Sequence, residues 1–83
     1  MTHAIVWTLS AAKTLRGFRE QDPSGAGELR AAIEALAEDP RPDDSFPYGP
    51  SYRRLRVGRY RVMYRIEDKE ISVIVLNLAR SAP

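Results

Sequence analysis

Six arginines and no acid lie between Ser51 and Arg65: Arg53, Arg54, Arg56, Arg59, Arg61 and Arg65, a local charge of +6. Eleven of the chain's thirteen basic side chains are arginine. A guanidinium presents a planar fork of donors that matches phosphate and carboxylate oxygens two at a time. A compact arginine block in a chain of net charge +2 therefore points to a specific anionic partner, because scattered lysines serve solubility equally well. The same residues also suit a solvated sheet face or a docking surface for an acidic protein. Proton-transfer chemistry has few candidates nearby. His3 is the single side chain with a reference pKa near neutrality, and its place before the first strand suits a frayed surface residue. Tyr48 and Tyr52 flank the block, where guanidinium neighbours lower a phenol's pKa and a ring can stack on a base. Ordinary packing of an amphipathic ring is the alternative for both.

Alternation within strands decides where the arginines point. Tyr52–Val57 reads as a strand with Leu55 and Val57 on one face and Tyr52, Arg54 and Arg56 on the other. Tyr60–Ile66 follows across the short link Val57-Gly58-Arg59. It puts Tyr60, Val62, Tyr64 and Ile66 on one face and Arg59, Arg61, Met63 and Arg65 on the other. Pairing the apolar sets brings Arg54, Arg56, Arg61 and, at the end of the ladder, Arg65 together on an exposed face. Adjacent like charges destabilise a sheet, so such a face calls for an anion. A third run, Ile71–Leu78, is apolar on both parities, as a central strand is.

Upstream, Ala4–Thr8 is β-branched and aromatic and reads as a first strand. Ser10 offers an N-cap, and Ala11, Leu15 and Phe18 mark a helix from about Ala11 to Glu20. Asp22-Pro23 has the form of a cap followed by a first-turn proline, opening a second helix whose stripe is Leu29, Ile33 and Leu36. Asp39–Pro50 holds four of the six prolines and reads as a loop. The order β-α-α-β-β-β predicts an α+β fold: a helical hairpin packed on a largely antiparallel four-stranded sheet.

At 83 residues the chain is expected to be one domain, 1–83. The absence of cysteine excludes disulfides, thiol nucleophiles and cysteine zinc sites, and a single histidine excludes a multi-histidine metal centre. Hydrophobic residues at 43 % and charged residues at 29 % fit an ordinary soluble fold. No apolar run approaches the roughly 20 residues that span a bilayer, so no membrane contact is expected. Met1–Ile5 lacks the form of a secretory leader, and a cytoplasmic location follows by default. From Glu20 to Asp44 eight acids face two arginines, a net charge of −6. That segment reads as a solvated helix face and loop.

The run Arg54-Leu55-Arg56-Val57-Gly58-Arg59-Tyr60-Arg61-Val62-Met63-Tyr64-Arg65-Ile66 resembles the central motif of the RelE/ParE superfamily of bacterial toxin–antitoxin toxins, with Arg59 in place of the usual aspartate. Ile33–Pro40 is similar to that superfamily's helix end, and Val73–Arg80 to its last strand. The resemblance implies a RelE-like fold and a toxin held inactive by a small RelB- or Phd-like antitoxin. It implies one of two activities. The first is metal- and cofactor-free cleavage of mRNA on the ribosome, which makes the chain an endoribonuclease that blocks translation. The second is inhibition of DNA gyrase by a non-catalytic binder; a catalytically weakened RelE homologue is a further variant. By motif position Arg61, Arg80 and Arg56 are the catalytic candidates. Arg54, with Arg53, Arg59 and Tyr52 of the same block, forms the candidate set for RNA phosphate. The superfamily's ribonucleases carry a tyrosine shortly after the last-strand arginine, whereas this chain reads Arg80-Ser81-Ala82-Pro83. Cleavage of RNA needs a group to take the 2′-hydroxyl proton, one to protonate the 5′-oxygen, and cations around the phosphorane. The arginines meet the third need.

Overall fold

The computed structural model describes residues 2–81. Its elements run β1 (Ala4–Trp7), α1 (Leu9–Gln21), α2 (Pro23–Ala35), β2 (Ser45–Pro47), β3 (Tyr52–Val57), β4 (Tyr60–Glu67) and β5 (Ser72–Arg80). The sheet order is β1-β5-β4-β3-β2. Only the β1–β5 pair is parallel, so the α+β class and the largely antiparallel sheet stand. The strand count is five, not four. The addition is β2, three residues within the proline-rich segment that pair with Leu55, Arg54 and Arg53 of β3. Pro47 cannot donate to a ladder, which suits an edge strand.

Both helices lie on one face of the sheet. Leu29 and Ile33 of α2, Leu36 just beyond it, and Ala11 of α1 meet Leu55, Val62, Tyr64, Val73 and Val75, all almost entirely buried. Tyr60 and Tyr64 belong to this core as their parity predicts, at 3 % and 0 % exposure, and the Tyr64 hydroxyl donates to the Pro40 carbonyl at 2.7 Å. Trp7 packs against the core from the side.

The cap of α1 is Thr8, not Ser10. Thr8 ends β1 in an extended conformation, and its hydroxyl accepts from the Ala11 N–H at 3.2 Å while lying 2.9 Å from the Val75 carbonyl. Being fixed to β5, it starts the helix at Leu9, two residues before the expected Ala11. Asp22 caps α2 as expected, accepting from the Gly25 N–H at 3.1 Å. It also accepts from the Tyr60 hydroxyl at 2.8 Å. A β-carbon at Gly25 would collide with the Asp22 carboxylate and meet the Tyr60 ring, so this glycine is what allows helix, cap and sheet to close up. Gly58, at φ +59°, makes the two-residue turn between β3 and β4.

His3 is pinned rather than frayed. Its backbone N–H donates to the Ala37 carbonyl at 2.7 Å, and its Nε2 lies 3.2 Å from Asp68, which also receives Arg41 at 2.9 Å. No helix among the described residues is long and apolar enough to cross a membrane.

Candidate functional site: an arginine cleft on the open sheet face

The sheet face opposite the helices carries the site. In the β3–β4 ladder Arg56 stands directly across from Arg61, and Arg54 across from Met63. In the β2–β3 ladder Phe46 stands across from Arg54. Directly opposed residues of an antiparallel pair share a face, so Phe46, Arg54, Arg56 and Arg61 converge. They line a cleft of about 270 Å³. Among the described residues none of these three arginines has a carboxylate within ion-pair distance. Arg61 donates to the Ser81 hydroxyl at 3.1 Å, and Ser81 is itself held by its N–H on the Arg59 carbonyl at 2.7 Å. Three guanidiniums left without counter-charge on one patch repel each other, and an anion seated among them would remove that repulsion.

Four residues expected at the site lie elsewhere or are neutralised. Arg53 has the parity of Leu55 and points to the helix side, where its Nε donates to the Ser45 hydroxyl at 2.9 Å and its Nη2 to the Ser45 carbonyl at 3.2 Å. Arg59 sits in the hairpin turn, 3.8 Å from Asp22 and 5.7 Å from the Tyr60 ring centre. Arg65 stays on the open face but lies 3.1 Å from Glu67. Arg80 stands across from Tyr60, and its guanidinium lies 5.1 Å from the centre of the Phe18 ring on α1.

The displacement of Arg80 has a definite cause. Met63 pairs with Asn77, yet the next residue, Tyr64, pairs with Val75. Leu76 is the extra residue of a β-bulge, which reverses parity along the rest of the strand. Val73 and Val75 face the helices before the bulge, and Leu78 does so after it. Arg80 therefore turns to the helix side, and Ser81 takes the place beside Arg61.

Tyr52 does share the face of Arg54 and Arg56 but packs tilted against Tyr48, with ring centres 5.6 Å apart. The Tyr48 phenol is pushed up from its ordinary pKa, first by burial and then by Tyr52, with Arg54 opposing only in part. The expected lowering of this phenol is thus reversed, and Tyr48 is a poor proton acceptor at neutral pH. Phe46 is not among the residues that the sequence pattern points to. It sits inside the proline-rich segment, and only the unforeseen strand β2 brings it to the arginines. The nearest sequence signal is the aromatic-rich spacing Phe46-Pro47-Tyr48 just ahead of the arginine block.

On the helix side, Asp22 gathers the hairpin end. Its carboxyl is held below the ordinary aspartate range by the Tyr60 hydroxyl first, then by the Gly25 N–H and the charges of Arg59 and Arg80. A carboxyl depressed in the folded state stabilises the fold above its unfolded pKa, and this contribution is lost as pH falls through the folded value. Asp22→Asn is therefore expected to lower the melting temperature at neutral pH and to flatten its decline below about pH 4. Parallel acid slopes for the two proteins in thermal melts would contradict this role.

Comparison with known proteins places this architecture. Residues 5–82 match the family described as the ParE toxin of the type II toxin–antitoxin system parDE. The fold is similar to the toxin–antitoxin complex RelBE2 from Mycobacterium tuberculosis, with a TM-score of 0.78 at 22 % identity over 100 % of this chain and 95 % of that one. It is similar to the archaeal RelE–RelB complex from Pyrococcus horikoshii, with a TM-score of 0.80 at 20 % identity over 96 % of each chain. It also resembles the YoeB/ParE toxin from Agrobacterium tumefaciens, with a TM-score of 0.79 at 18 % identity over 95 % of this chain and 99 % of that one. Comparison with curated proteins gives no match. With both helices, strands β2 to β5 and all of β1 but Ala4 inside the matched span, the chain belongs to the ParE toxin family of type II toxin–antitoxin systems, within the RelE/ParE superfamily.

Proposed function

We propose that this toxin acts on RNA, seating a phosphodiester of ribosome-bound mRNA in the cleft of Arg54, Arg56 and Arg61, and that it blocks translation as a metal-independent endoribonuclease. The observation that carries this reading is the convergence on one cleft of three guanidiniums with no carboxylate of the described residues in ion-pair reach. In the reaction the 2′-oxygen attacks the adjacent phosphorus, the bond to the 5′-oxygen breaks, and a 2′,3′-cyclic phosphate remains. Charge grows on the non-bridging oxygens at the midpoint, where fixed guanidiniums act most strongly. The cleft lining of Phe46, Arg54, Arg56 and Arg61 offers no proton acceptor. Catalysis here therefore rests on charge stabilisation and positioning, and forgoing a general base costs about 10²–10⁴-fold in rate.

A second reading is favoured by that same lack of a proton acceptor and by the ParE character of the family match: a binding toxin that inhibits DNA gyrase without cleaving RNA. Mapping mRNA 5′ ends in cells after induction separates the two. Codon-positioned cuts support the ribonuclease; intact mRNA with double-strand DNA breaks overturns it in favour of the gyrase inhibitor.

Control by an antitoxin fits either activity, and solved relatives include toxin–antitoxin complexes with RelB. The open face joins the arginine cleft to a partly exposed apolar strip that includes Val6, Ile74 and Met63, which suits an amphipathic acidic segment. Mixing the toxin with the product of its neighbouring gene is expected to give nanomolar binding, against which micromolar or absent binding would count.

A further inference from the structure

Phe46 is a large apolar ring left 59 % exposed at the rim of the arginine cleft. The fold makes little use of it. Its neighbour Ser45 is the residue of β2 that turns inward, 5 % exposed and bonded to Pro42 and Arg53, while Phe46 points to the open face across from Arg54. A ring held in water beside three guanidiniums that have no carboxylate partner among the described residues matches the chemistry of one nucleotide: the cations take the phosphate, and the π-face takes the base. Bases within a duplex have both faces covered by their neighbours, so such a ring engages only an unpaired base. Because every base has a π-face, the contact favours single strands without selecting a sequence.

We infer that Phe46 is a stacking platform for an unpaired base next to the phosphate held by Arg54, Arg56 and Arg61, which makes the ligand of this cleft a single-stranded nucleic acid. The inference rests on the phosphate reading of the cleft given above. Phe46 sets strand state and positioning, whereas the arginines supply charge.

The test uses the purified toxin and an uncleavable 2′-O-methyl hexanucleotide carrying 2-aminopurine, with an otherwise identical abasic strand as its control. Phe46→Ala and Phe46→Leu are expected to weaken binding of the intact strand by about 5- to 100-fold. Phe46→Tyr and Phe46→Trp are expected to keep it within a few-fold of wild type, and 2-aminopurine fluorescence to fall on binding only where residue 46 is aromatic. The abasic strand should bind wild type and Phe46→Leu equally weakly. Wild-type affinity in Phe46→Leu would overturn the inference, as would equal losses on intact and abasic strands, or a loss confined to antitoxin binding. The phosphate reading has its own arm. If Arg61→Ala binds weakly while the Phe46 variants bind as wild type, the stacking role alone fails. If Arg61→Ala binds as wild type while the Phe46 variants do not, stacking stands and the phosphate role fails.

Discussion

Arg61→Ala and Arg56→Ala are each expected to relieve growth inhibition almost entirely, while Arg30→Ala retains it. Arg61 and Arg56 face each other across the β3–β4 ladder and line the cleft, whereas Arg30 lies exposed on α2 against Glu34 at 2.9 Å. Removing one positioned donor from a site where charge develops costs about 10²–10³-fold in rate. The fold should not suffer, because each substitution relieves a like-charge contact across the ladder. Melting temperatures at or slightly above wild type would accompany the loss of toxicity. If Arg30→Ala were as impaired as the two cleft variants, the cleft would not be the toxic site. Arg80→Ala provides a sharper contrast: it removes a contact with Phe18 on the helix side and is expected to reduce stability more than cleft affinity.

Leu29→Ala should fail for the opposite reason. Leu29 is fully buried between α2 and the sheet, and its truncation leaves a cavity costing about 3–5 kcal/mol. A domain of this size has a total stability of roughly 4–12 kcal/mol, and each kcal/mol shifts the melting temperature by about 4–8 °C. A fall of more than about 10 °C in a thermal melt is expected, and toxicity should drop with the folded fraction rather than with cleft chemistry. A loss below about 1 kcal/mol would mean that α2 is not seated on the sheet as described.

The contrast between these variants reflects what the chain's pattern makes legible. Helix stripes such as Leu29, Ile33 and Leu36 repeat at one clear period and bury where expected. Strand parity in β3 and β4 is also clear, because polar and apolar residues alternate from Arg54 to Val57 and, with Met63 the exception, from Tyr60 to Ile66, and it places Arg54, Arg56 and Arg61 on one face. The last strand is different. Ile71–Leu78 is apolar on both parities, so nothing in it marks Leu76 as the residue of a bulge. Motif position groups Arg80 with the cleft arginines, and the bulge turns it to the helix side. Strand β2 was hidden for another reason: three residues with a proline carry too little pattern to stand out from the surrounding turns, yet their pairing with β3 creates the aromatic wall of the cleft. Arg53 was misplaced by weight of charge. Its parity is that of Leu55, and its partner proved to be Ser45 rather than an external anion.

On the proposal above, toxicity runs through RNA phosphate in the arginine cleft. The proposal's most direct test is a single-turnover reaction of purified toxin with mRNA-programmed ribosomes, reading new 3′ ends. Fragments ending in 2′,3′-cyclic phosphate are expected, formed at least about 10²-fold more slowly by Arg61→Ala. Intact mRNA, together with inhibition of purified DNA gyrase by the same preparation, would contradict it.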